Sequence, residues 1–335
     1  MPTLTGRPLA ASAILLTALV VSGCSASAPS TAAEDTPSPA AGSAYPLTID
    51  NCGTSVTFDE APEDVLAIKS TSIEMMLALG LEDHLIGTAF SDGPLAAAWA
   101  GRGAEIPVIS DKVPGQEATL ELEPDLVYAG WESNVTADGA GDREVLASLG
   151  VNTFVSPSAC QEPDYQPTPL TFDDVFAEIE QVGAIFDASD AAADLVTDLQ
   201  GRLEAVTPDD RGLTALWFSS GSDTPFVGAG IGAPQMMMDA AGLTNIAEDV
   251  DETWSSLSWE AIVDANPDVI VLVDSAWSSA EKKIGMLETN PATAQLPAVV
   301  SGRYLIVPFP AGEAGVRNVE AVESLLAQLE AIDLP

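Results

Sequence analysis

The stretch Ser258-Trp-Glu-Ala-Ile-Val-Asp-Ala-Asn-Pro-Asp-Val-Ile-Val-Leu-Val-Asp274 decides the fold of this chain. Its first half has the apolar spacing of a helix, with Ser258 as the N-cap. Asn266-Pro267 ends that helix, because a residue before proline is disfavoured in the α region. The apolar, mostly β-branched run from Val269 to Val273 then predicts a strand that is buried on both faces.

An earlier stretch, Glu117-Ala-Thr-Leu-Glu-Leu-Glu-Pro124-Asp125-Leu-Val-Tyr128, has the same order of features. In both, a glutamate opens a short helix, Pro-Asp closes it, and a buried strand follows. The spacing is equal for the two matched residues: Glu260 lies 143 positions after Glu117, and Pro267 lies 143 positions after Pro124. One match could arise by chance, since Pro-Asp is a common turn. Two copies at one offset predict two similar α/β lobes.

The rest of the chain predicts strand–helix units, and therefore Rossmann-like lobes with mostly parallel central sheets. Leu195, Val196, Leu199 and Leu203 have helical spacing in a segment that would reach roughly 25 Å, which we interpret as one long bridging helix. We expect a ligand cleft between the lobes. The expected division is a signal peptide at 1–23, a flexible tether at 24–44, an N-terminal lobe at 45–188, the bridging helix at 189–207 and a C-terminal lobe at 208–335.

Two local patterns add detail to the N-terminal lobe. Leu47–Ile49 and Ser55–Phe58 flank Asn51-Cys52-Gly53, which predicts a hairpin with a glycine-containing turn. Thr71-Ser72-Ile73-Glu74 has the pattern of a capping box, which predicts a helix that opens at Thr71 and ends at Gly80.

The N-terminus has the features of an export signal. Arg7 precedes an apolar run from Leu9 to Val21, which is short for a membrane span. The run ends in Val21-Ser22-Gly23-Cys24, which resembles a bacterial lipobox and predicts lipidation of Cys24; the alternative is a plain signal peptide with an incidental cysteine. The remaining cysteines, Cys52 and Cys160, are expected to form a disulfide, because the protein is exported.

Charge excludes some classes of partner. The chain has 11 Lys and Arg residues against 51 Asp and Glu residues, a formal charge of −40. Nucleic acid is therefore not expected as a partner, because binding phosphates needs a basic face. For the same reason, we expect contact with the membrane through the lipid anchor only.

Catalytic and metal-binding patterns are not found in the sequence. The chain has one histidine, His84, and no Gly-x-Ser-x-Gly elbow, phosphate-binding glycine loop or Cys-x-x-Cys motif. Zinc capture would require several histidines. We therefore expect no enzyme activity, no cofactor and no metal site.

Residues at the ends of predicted strands indicate where a ligand binds, because ligands of open parallel sheets bind at the carboxyl ends of the strands. Aromatic rings with a few polar groups are typical of a small-molecule cleft. Lys69, Lys112 and Arg317 would together form a positive patch for an anionic ligand. The predicted ligand-binding set is Lys69, Ser70, Phe90, Lys112, Trp131, Phe226, Trp254 and Arg317.

The chain from Tyr45 onward resembles the class III solute-binding proteins of ABC importers, which carry cobalamin, ferric siderophores and haem. The stretches that carry the resemblance are Ile68-Lys-Ser-Thr-Ser-Ile-Glu-Met-Met-Leu-Ala-Leu-Gly80, Glu121-Leu-Glu-Pro-Asp-Leu-Val127, Trp254-Ser-Ser-Leu-Ser-Trp-Glu260, Asn290-Pro-Ala and Gly302-Arg-Tyr. The resemblance implies that Glu117 and Glu260 bind arginines of the two permease subunits. It also implies that Phe90, Phe226 and Trp254 line the cleft and that the lobes close by a small amount.

Within that family, several stretches are similar to an actinobacterial subgroup proposed to import a precursor of the deazaflavin coenzyme. They are Ser110-Asp-Lys-Val-Pro, Tyr128-Ala-Gly-Trp-Glu-Ser-Asn134, Ser156 to Cys160, Ser219-Ser-Gly-Ser-Asp-Thr-Pro-Phe226 and Gly315-Val-Arg-Asn318. This similarity implies a flat aromatic ligand with a phosphorylated tail. A ferric siderophore or a corrinoid is the broader alternative.

The leading hypothesis is a lipid-anchored, extracytoplasmic binding protein that delivers an anionic aromatic or chelate ligand to an ABC permease dimer with its ATPase. One alternative is a secreted hydrolase that uses a pair of carboxylates. Another is a structural envelope lipoprotein, which would need no enclosed cleft.

Overall fold

Two central sheets organise the chain in this computed structural model, which describes residues 45–166 and 168–332. The predicted signal peptide, Cys24 and the tether lie outside these residues. A hairpin, β1 (Leu47–Asn51) and β2 (Thr54–Phe58), precedes the first sheet. The other strands are β3 (Val65–Ile68), β4 (Leu85–Ala89), β5 (Val108–Ser110), β6 (Leu126–Ala129), β7 (Asn152–Val155), β8 (Thr214–Ser220), β9 (Phe226–Gly228), β10 (Thr244–Asn245), β11 (Trp254–Ser256), β12 (Val269–Asp274) and β13 (Tyr304–Pro308).

Helices connect these strands. They are α1 (Ser70–Ala78), α2 (Ala100–Gly103), α3 (Gln116–Leu120), α4 (Arg143–Ser148), α5 (Phe172–Ile185), α6 (Ser189–Ala205), α7 (Ala233–Ala241), α8 (Trp259–Ala265), α9 (Ala280–Thr289), α10 (Pro297–Val300), α11 (Phe309–Gly312) and α12 (Asn318–Ala331). Short 3₁₀ turns occur at Glu82–His84, Glu132–Val135, Pro157–Ala159 and Pro163–Tyr165. No helix within residues 45–166 and 168–332 combines the length and the apolar character needed to cross a bilayer.

Each sheet has parallel strands joined through helices, so the chain has two α/β lobes as predicted. The first sheet has the order β5-β4-β3-β6-β7, and every neighbouring pair is parallel. The second has the order β11-β9-β8-β12-β13, in which β8, β12 and β13 are parallel and β10 pairs with the start of β8. Its β9 and β11 are antiparallel to their neighbours, so this sheet is mixed.

The repeated sequence unit occupies equivalent places in the two sheets. β6 lies beside the central strand β3, and β12 lies beside the central strand β8. The helices before them, α3 and α8, both carry the glutamate at their second position, Glu117 and Glu260. The residue before each proline, Glu123 or Asn266, has a positive φ, 53° and 46° respectively. The repeat in sequence is therefore also a repeat in backbone conformation.

The ends of α8 are formed as the sequence predicts. The Ser258 hydroxyl accepts a hydrogen bond from the Ala261 N–H at 3.1 Å, which satisfies one donor of the first turn. Asn266, in the left-handed region, ends the helix before Pro267. All five residues from Val269 to Val273 are buried, as a strand covered on both faces requires.

The capping box predicted for α1 is wrong. The helix begins at Ser70, one residue before Thr71, and its N-cap residue Lys69 makes no capping hydrogen bond through its side chain. Glu74 does not reach back to the helix start. Its carboxylate instead accepts the Ala96 N–H at 3.0 Å and binds Arg317. A tertiary partner therefore takes the carboxylate that a local cap would use.

A disulfide bond joins Cys52 and Cys160. Cys52 and Gly53 both have positive φ, 52° and 77°, which is the conformation of a type I′ hairpin turn. Asn51 adds to this attachment, because its side chain donates to the Val155 carbonyl at 2.8 Å and accepts from the Val155 N–H. The disulfide and these bonds hold the hairpin against the edge of the first sheet.

The predicted bridging helix corresponds to α6, which follows the first lobe and precedes β8. Ala192, Val196 and Leu199 are buried in the core of the first lobe. Near its C-terminal end, Arg202 forms two hydrogen bonds with Glu323 of α12, at 3.1 and 2.7 Å. The helix is therefore fixed to both lobes.

A buried carboxyl lies in the core of the first lobe. Glu178 of α5 accepts a hydrogen bond from the Tyr128 hydroxyl of β6 at 3.0 Å. Burial raises the pKa of Glu178 to about 7. The folded chain therefore binds this proton more tightly than the unfolded chain does, and the resulting stability is lost as the pH rises through 7.

We expect Glu178→Gln to remove this loss of stability, because the amide keeps an acceptor for Tyr128 and carries no charge. Between pH 4 and pH 8 the native carboxyl should contribute a decrease of about 3 kcal/mol in the free energy of unfolding, at 1.36 kcal/mol per pKa unit. Urea unfolding of both proteins at several pH values measures the difference. Glu180→Gln, at an exposed position of the same helix, is the matched control. Parallel pH profiles for the native protein and Glu178→Gln would contradict the assignment.

Candidate functional site

A cleft between the lobes contains three cavities, all lined by Trp131. The outer cavity, about 820 Å³, is lined by Phe90, Ser91, Gly93, Pro94, Asp111, Lys112, Trp131, Ala276 and Trp277. The inner cavity, about 340 Å³, is lined by Trp131, Ser219, Ser220, Phe226, Trp254, Trp277, Phe309 and Glu313. The side cavity, about 260 Å³, includes Thr71, Ser133, Gln161, Thr253, Trp254 and Glu313. Both lobes contribute to each cavity.

Lys69 and Phe90 follow the neighbouring strands β3 and β4, and both have unusual backbone conformations. Lys69 has φ 85° and ψ 150°, a region otherwise occupied almost only by glycine, and Phe90 has φ 52°. Such conformations cost of order 1–3 kcal/mol each and occur mainly at functional sites. Two adjacent cases at the carboxyl edge of the first sheet therefore mark this edge as a candidate site.

The ammonium group of Lys69 is buried in the centre of the cleft. It forms an ion pair with Asp92, and the two side chains are only 1% exposed. Asp92 is held in turn by Ser70, whose hydroxyl accepts the Asp92 N–H at 2.8 Å. Burial lowers the pKa of Lys69 and raises that of Asp92, and the contact between the two groups opposes both shifts.

Aromatic rings surround the same ammonium group. The Nζ atom of Lys69 lies 3.5 Å from a ring centroid of Trp131 and 4.5 Å from that of Phe90. It also lies 4.9 Å from Phe309 and 5.8 Å from Trp277 of the second lobe. Contacts of this kind stabilise a cation by roughly 2 kcal/mol when water is excluded. Lys69 therefore has one anionic partner and an aromatic surrounding drawn from both lobes.

Two further polar contacts join the lobes across the cleft. The Trp131 indole N–H donates to Glu313 Oε2 at 2.9 Å. Arg317 binds Glu74 of α1 at 3.3 Å, and both side chains are at most 8% exposed. Burial raises the pKa of Glu313, and it raises that of Glu74 to about 7 against the opposing charge of Arg317.

The positive patch expected from Lys69, Lys112 and Arg317 does not form. Lys69 is neutralised by Asp92, and Arg317 is bound by Glu74 and Glu320. Lys112 is exposed at the outer cavity and forms no ion pair within the part of the chain that the structure describes. Asp92 pairs with Lys69 within the first lobe, whereas Glu74 reaches Arg317 from the other lobe and lies 243 residues away in the sequence.

The structure places the other predicted site residues in different positions. Phe90, Lys112 and Trp131 line the outer cavity, and Phe226 and Trp254 line the inner cavity, where their rings are stacked with centroids 6.0 Å apart. Ser70 lies behind Lys69, is buried, and lines none of the three cavities.

The predicted ligand-binding set leaves out four residues of the cleft, Asp92, Trp277, Phe309 and Glu313. Asp92 and Phe309 are among the strand-end positions that the sequence indicates, although the predicted set does not include them. Trp277 follows the end of β12 by three residues, so the same rule could have indicated it. Glu313 follows α11, and no local pattern marks it.

The two predicted docking residues, Glu117 and Glu260, line none of the three cavities of the cleft. Both are exposed, and each lies in the first turn of a short helix that precedes the strand beside the central strand of its sheet. Within residues 45–166 and 168–332, no group of three or more His, Cys, Asp or Glu side chains is arranged to hold a metal ion.

Comparison with known proteins identifies similar chains. The family model "Periplasmic binding protein" matches residues 65–311. YvrC of Bacillus subtilis, described as an uncharacterized ABC transporter substrate-binding lipoprotein, is 26% identical over 323 residues, covering 93% of this chain and 94% of the relative. The cobalamin-binding protein of Halobacterium salinarum is 29% identical over 247 residues, covering 69% of this chain and 60% of the relative.

Solved structures show the same fold. A periplasmic binding protein from Veillonella parvula has a TM-score of 0.75 and 25% identity, over 86% of this chain and 98% of that one. A protein of an ABC-type Fe³⁺-hydroxamate transport system from Saccharomonospora viridis has a TM-score of 0.74 and 27% identity, over 85% and 99%.

We expect Arg317→Met to lower the free energy of unfolding at pH 8 by roughly 3 kcal/mol, because it leaves the Glu74 carboxylate buried without its partner. Adding Glu74→Gln should restore much of that loss, since the amide is neutral and still accepts the Ala96 N–H. Urea unfolding of the two single variants and the double variant measures the coupling. Equal stability of the single Arg317 variant and the double variant would contradict the interlobe pairing.

Proposed function

Because this chain belongs to the periplasmic binding protein family, we propose that it is the substrate-binding protein of an ABC importer. In this proposal, a lipid on Cys24 holds the protein at the outer face of the cell membrane. The tether of residues 24–44 lets the two lobes reach a permease dimer and its ATPase. The relative described as an ABC transporter substrate-binding lipoprotein supports this role.

One observation carries the proposal: Glu117 and Glu260 are exposed at equivalent positions of two similar lobes that enclose an aromatic cleft. A permease with two similar subunits offers two equivalent binding positions, and a protein with matched acidic positions can bind both. Each exposed ion pair contributes only about 0.2–1 kcal/mol. The pair therefore sets orientation and association rate more than affinity.

We expect Glu117→Gln together with Glu260→Gln to raise the protein concentration needed for half-maximal uptake by roughly 2- to 30-fold, from the loss of two such ion pairs. Ligand binding by the isolated protein should not change, because both residues lie outside the cleft. Transport into vesicles containing the permease and its ATPase gives the measurement.

The matched control is Glu121→Gln together with Asp264→Asn, which removes exposed acids near the other ends of α3 and α8. These changes should leave uptake unaltered. If the control reduces uptake as much as the Glu117 and Glu260 changes do, general surface charge and not docking explains the effect.

For the ligand, we propose a flat aromatic molecule or a metal chelate bound between the rings of the cleft. A deazaflavin coenzyme precursor is the first candidate, with its ring against the Trp and Phe side chains and its anionic tail toward Lys112. A corrinoid and a ferric hydroxamate are the other candidates, since relatives are described as binding or transporting these. The aromatic lining of the inner and outer cavities supports all three.

Mass spectrometry of molecules that co-purify with the protein, followed by titration with the three candidates, tests this proposal. For an anionic ligand we expect Lys112→Ala to weaken binding by about 1 kcal/mol or more, roughly five-fold. Lys282→Ala, at an exposed position of α9, should have no effect. An unchanged dissociation constant for Lys112→Ala would remove this lysine from the site.

The alternatives have less support. A hydrolase with two carboxylates needs both groups free and beside one another, but in the cleft Asp92 is ion-paired with Lys69, and Asp111 and Glu313 line different cavities. A structural lipoprotein does not need an interlobe cleft lined by aromatic side chains. Binding and delivery of a ligand explain both features.

A further inference from the structure

The inner cavity combines aromatic rings with one carboxylate. Its rings come from both lobes, Trp131 from the first and Phe226, Trp254, Trp277 and Phe309 from the second. Among the other residues that line it are Glu313, Ser219 and Ser220. Rings with a nearby carboxylate are the surroundings in which proteins bind substituted ammonium groups.

The protein already stabilises a cation with some of these same rings. Trp131, Trp277 and Phe309 line the inner cavity and also surround the Lys69 ammonium, at 3.5, 5.8 and 4.9 Å from their ring centroids. Asp92 provides the anion for Lys69. Lys69 is therefore an example, within this cleft, of a cation that lies between aromatic rings and beside a carboxylate.

The inner cavity contains a second carboxylate, Glu313, which forms no ion pair among the residues described. The Lys69 ammonium is paired with Asp92 and also attracts Glu313 from a longer distance. One ammonium therefore faces two carboxyl groups, and with both ionised the three side chains carry a formal charge of −1. Glu313 Oε2 accepts from Trp131, whereas Oε1 accepts no hydrogen bond from the residues described. A second positive group beside Oε1 would balance this charge.

We propose that the inner cavity is a subsite for an organic cation, a substituted or quaternary ammonium group, held between the rings and paired with Glu313. This inference rests on the proposed function, since it concerns the same cleft. The inner and outer cavities share Trp131 and Trp277 as walls. A ligand that fills both therefore carries its positive group in the inner cavity and a polar or anionic group near Lys112. A ligand with anionic groups alone, such as the deazaflavin coenzyme precursor, leaves the inner subsite unmatched, so this inference favours a ligand that also carries a positive group over that candidate.

Two other interpretations of Glu313 predict different behaviour. If Glu313 only joins the lobes through Trp131, the inner cavity should have no preference for charge. If the cavity accepts a neutral aromatic ring, an uncharged molecule of the same shape should bind as well as a cation does. A pair of probes that differ only in charge separates these cases.

Choline and 3,3-dimethylbutan-1-ol form such a pair, because a quaternary nitrogen in one replaces a quaternary carbon in the other. Titration calorimetry or tryptophan fluorescence of the intact protein at millimolar probe concentrations measures both dissociation constants. We expect choline to bind about 10-fold more tightly or better, the effect of a desolvated cation between aromatic rings. Equal dissociation constants would overturn the proposal.

Variants connect the preference to the named groups. Glu313→Gln keeps an acceptor for the Trp131 N–H and removes the charge, so the choline preference should fall to about three-fold or less. Trp254→Leu should weaken choline binding more than binding of the neutral probe. Glu281→Gln, an exposed acid on α9, should preserve the preference. A full preference in Glu313→Gln would overturn the role of that carboxylate.

The choline test and the uptake test can fail independently of each other, so they distinguish the cation-subsite proposal from the importer proposal. If the Glu117 and Glu260 changes leave uptake unaltered while choline is still preferred, docking fails and the cation subsite stands. If docking is supported and the two probes bind equally, the importer role stands and the cation subsite is wrong.

Discussion

The buried ammonium group of Lys69 is the constraint on which the cleft depends. Removing an ion from water costs several kcal/mol unless a partner compensates. Here Asp92 provides the charge, and rings from both lobes provide the remaining contacts. The lobes must therefore come together around this group, since Trp277 and Phe309 reach it only from the second lobe. The rare backbone conformation of Lys69 persists because these contacts fix the residue at the end of β3.

Other interlobe contacts support the same arrangement. Trp131 donates to Glu313, Arg317 binds Glu74, and α6 is attached to both lobes by its apolar face and by Arg202. A helix fixed in this way resists a wide hinge motion. The Trp131–Glu313 hydrogen bond joins two residues of opposite lobes that both line the inner cavity.

Charge pairing in the cleft changes which ligands fit. Three basic side chains at strand ends indicate an anion site when only the sequence is considered. Pairing of two of them with carboxylates leaves Lys112 at the mouth and an excess carboxylate, Glu313, inside. The cleft is therefore polarised along its length, with aromatic rings between the two ends. Under the function proposed above, such a cleft would select for the distribution of charge in a ligand as well as for its flat shape.

The sequence by itself determined the two lobes, the bridging helix, the cysteine pair and most of the aromatic residues of the cleft. These features follow from local rules: apolar spacing, proline stops, and the position of a residue at the end of a parallel strand. The two matched sequence units that contain Glu117 and Glu260 could also be recognised from the local sequence alone. Only the tertiary structure decided the electrostatics, because Arg317 and Glu74 lie 243 residues apart and Trp131 and Glu313 lie 182 apart. These two contacts depend on how the lobes pack, and no local pattern in the chain encodes them.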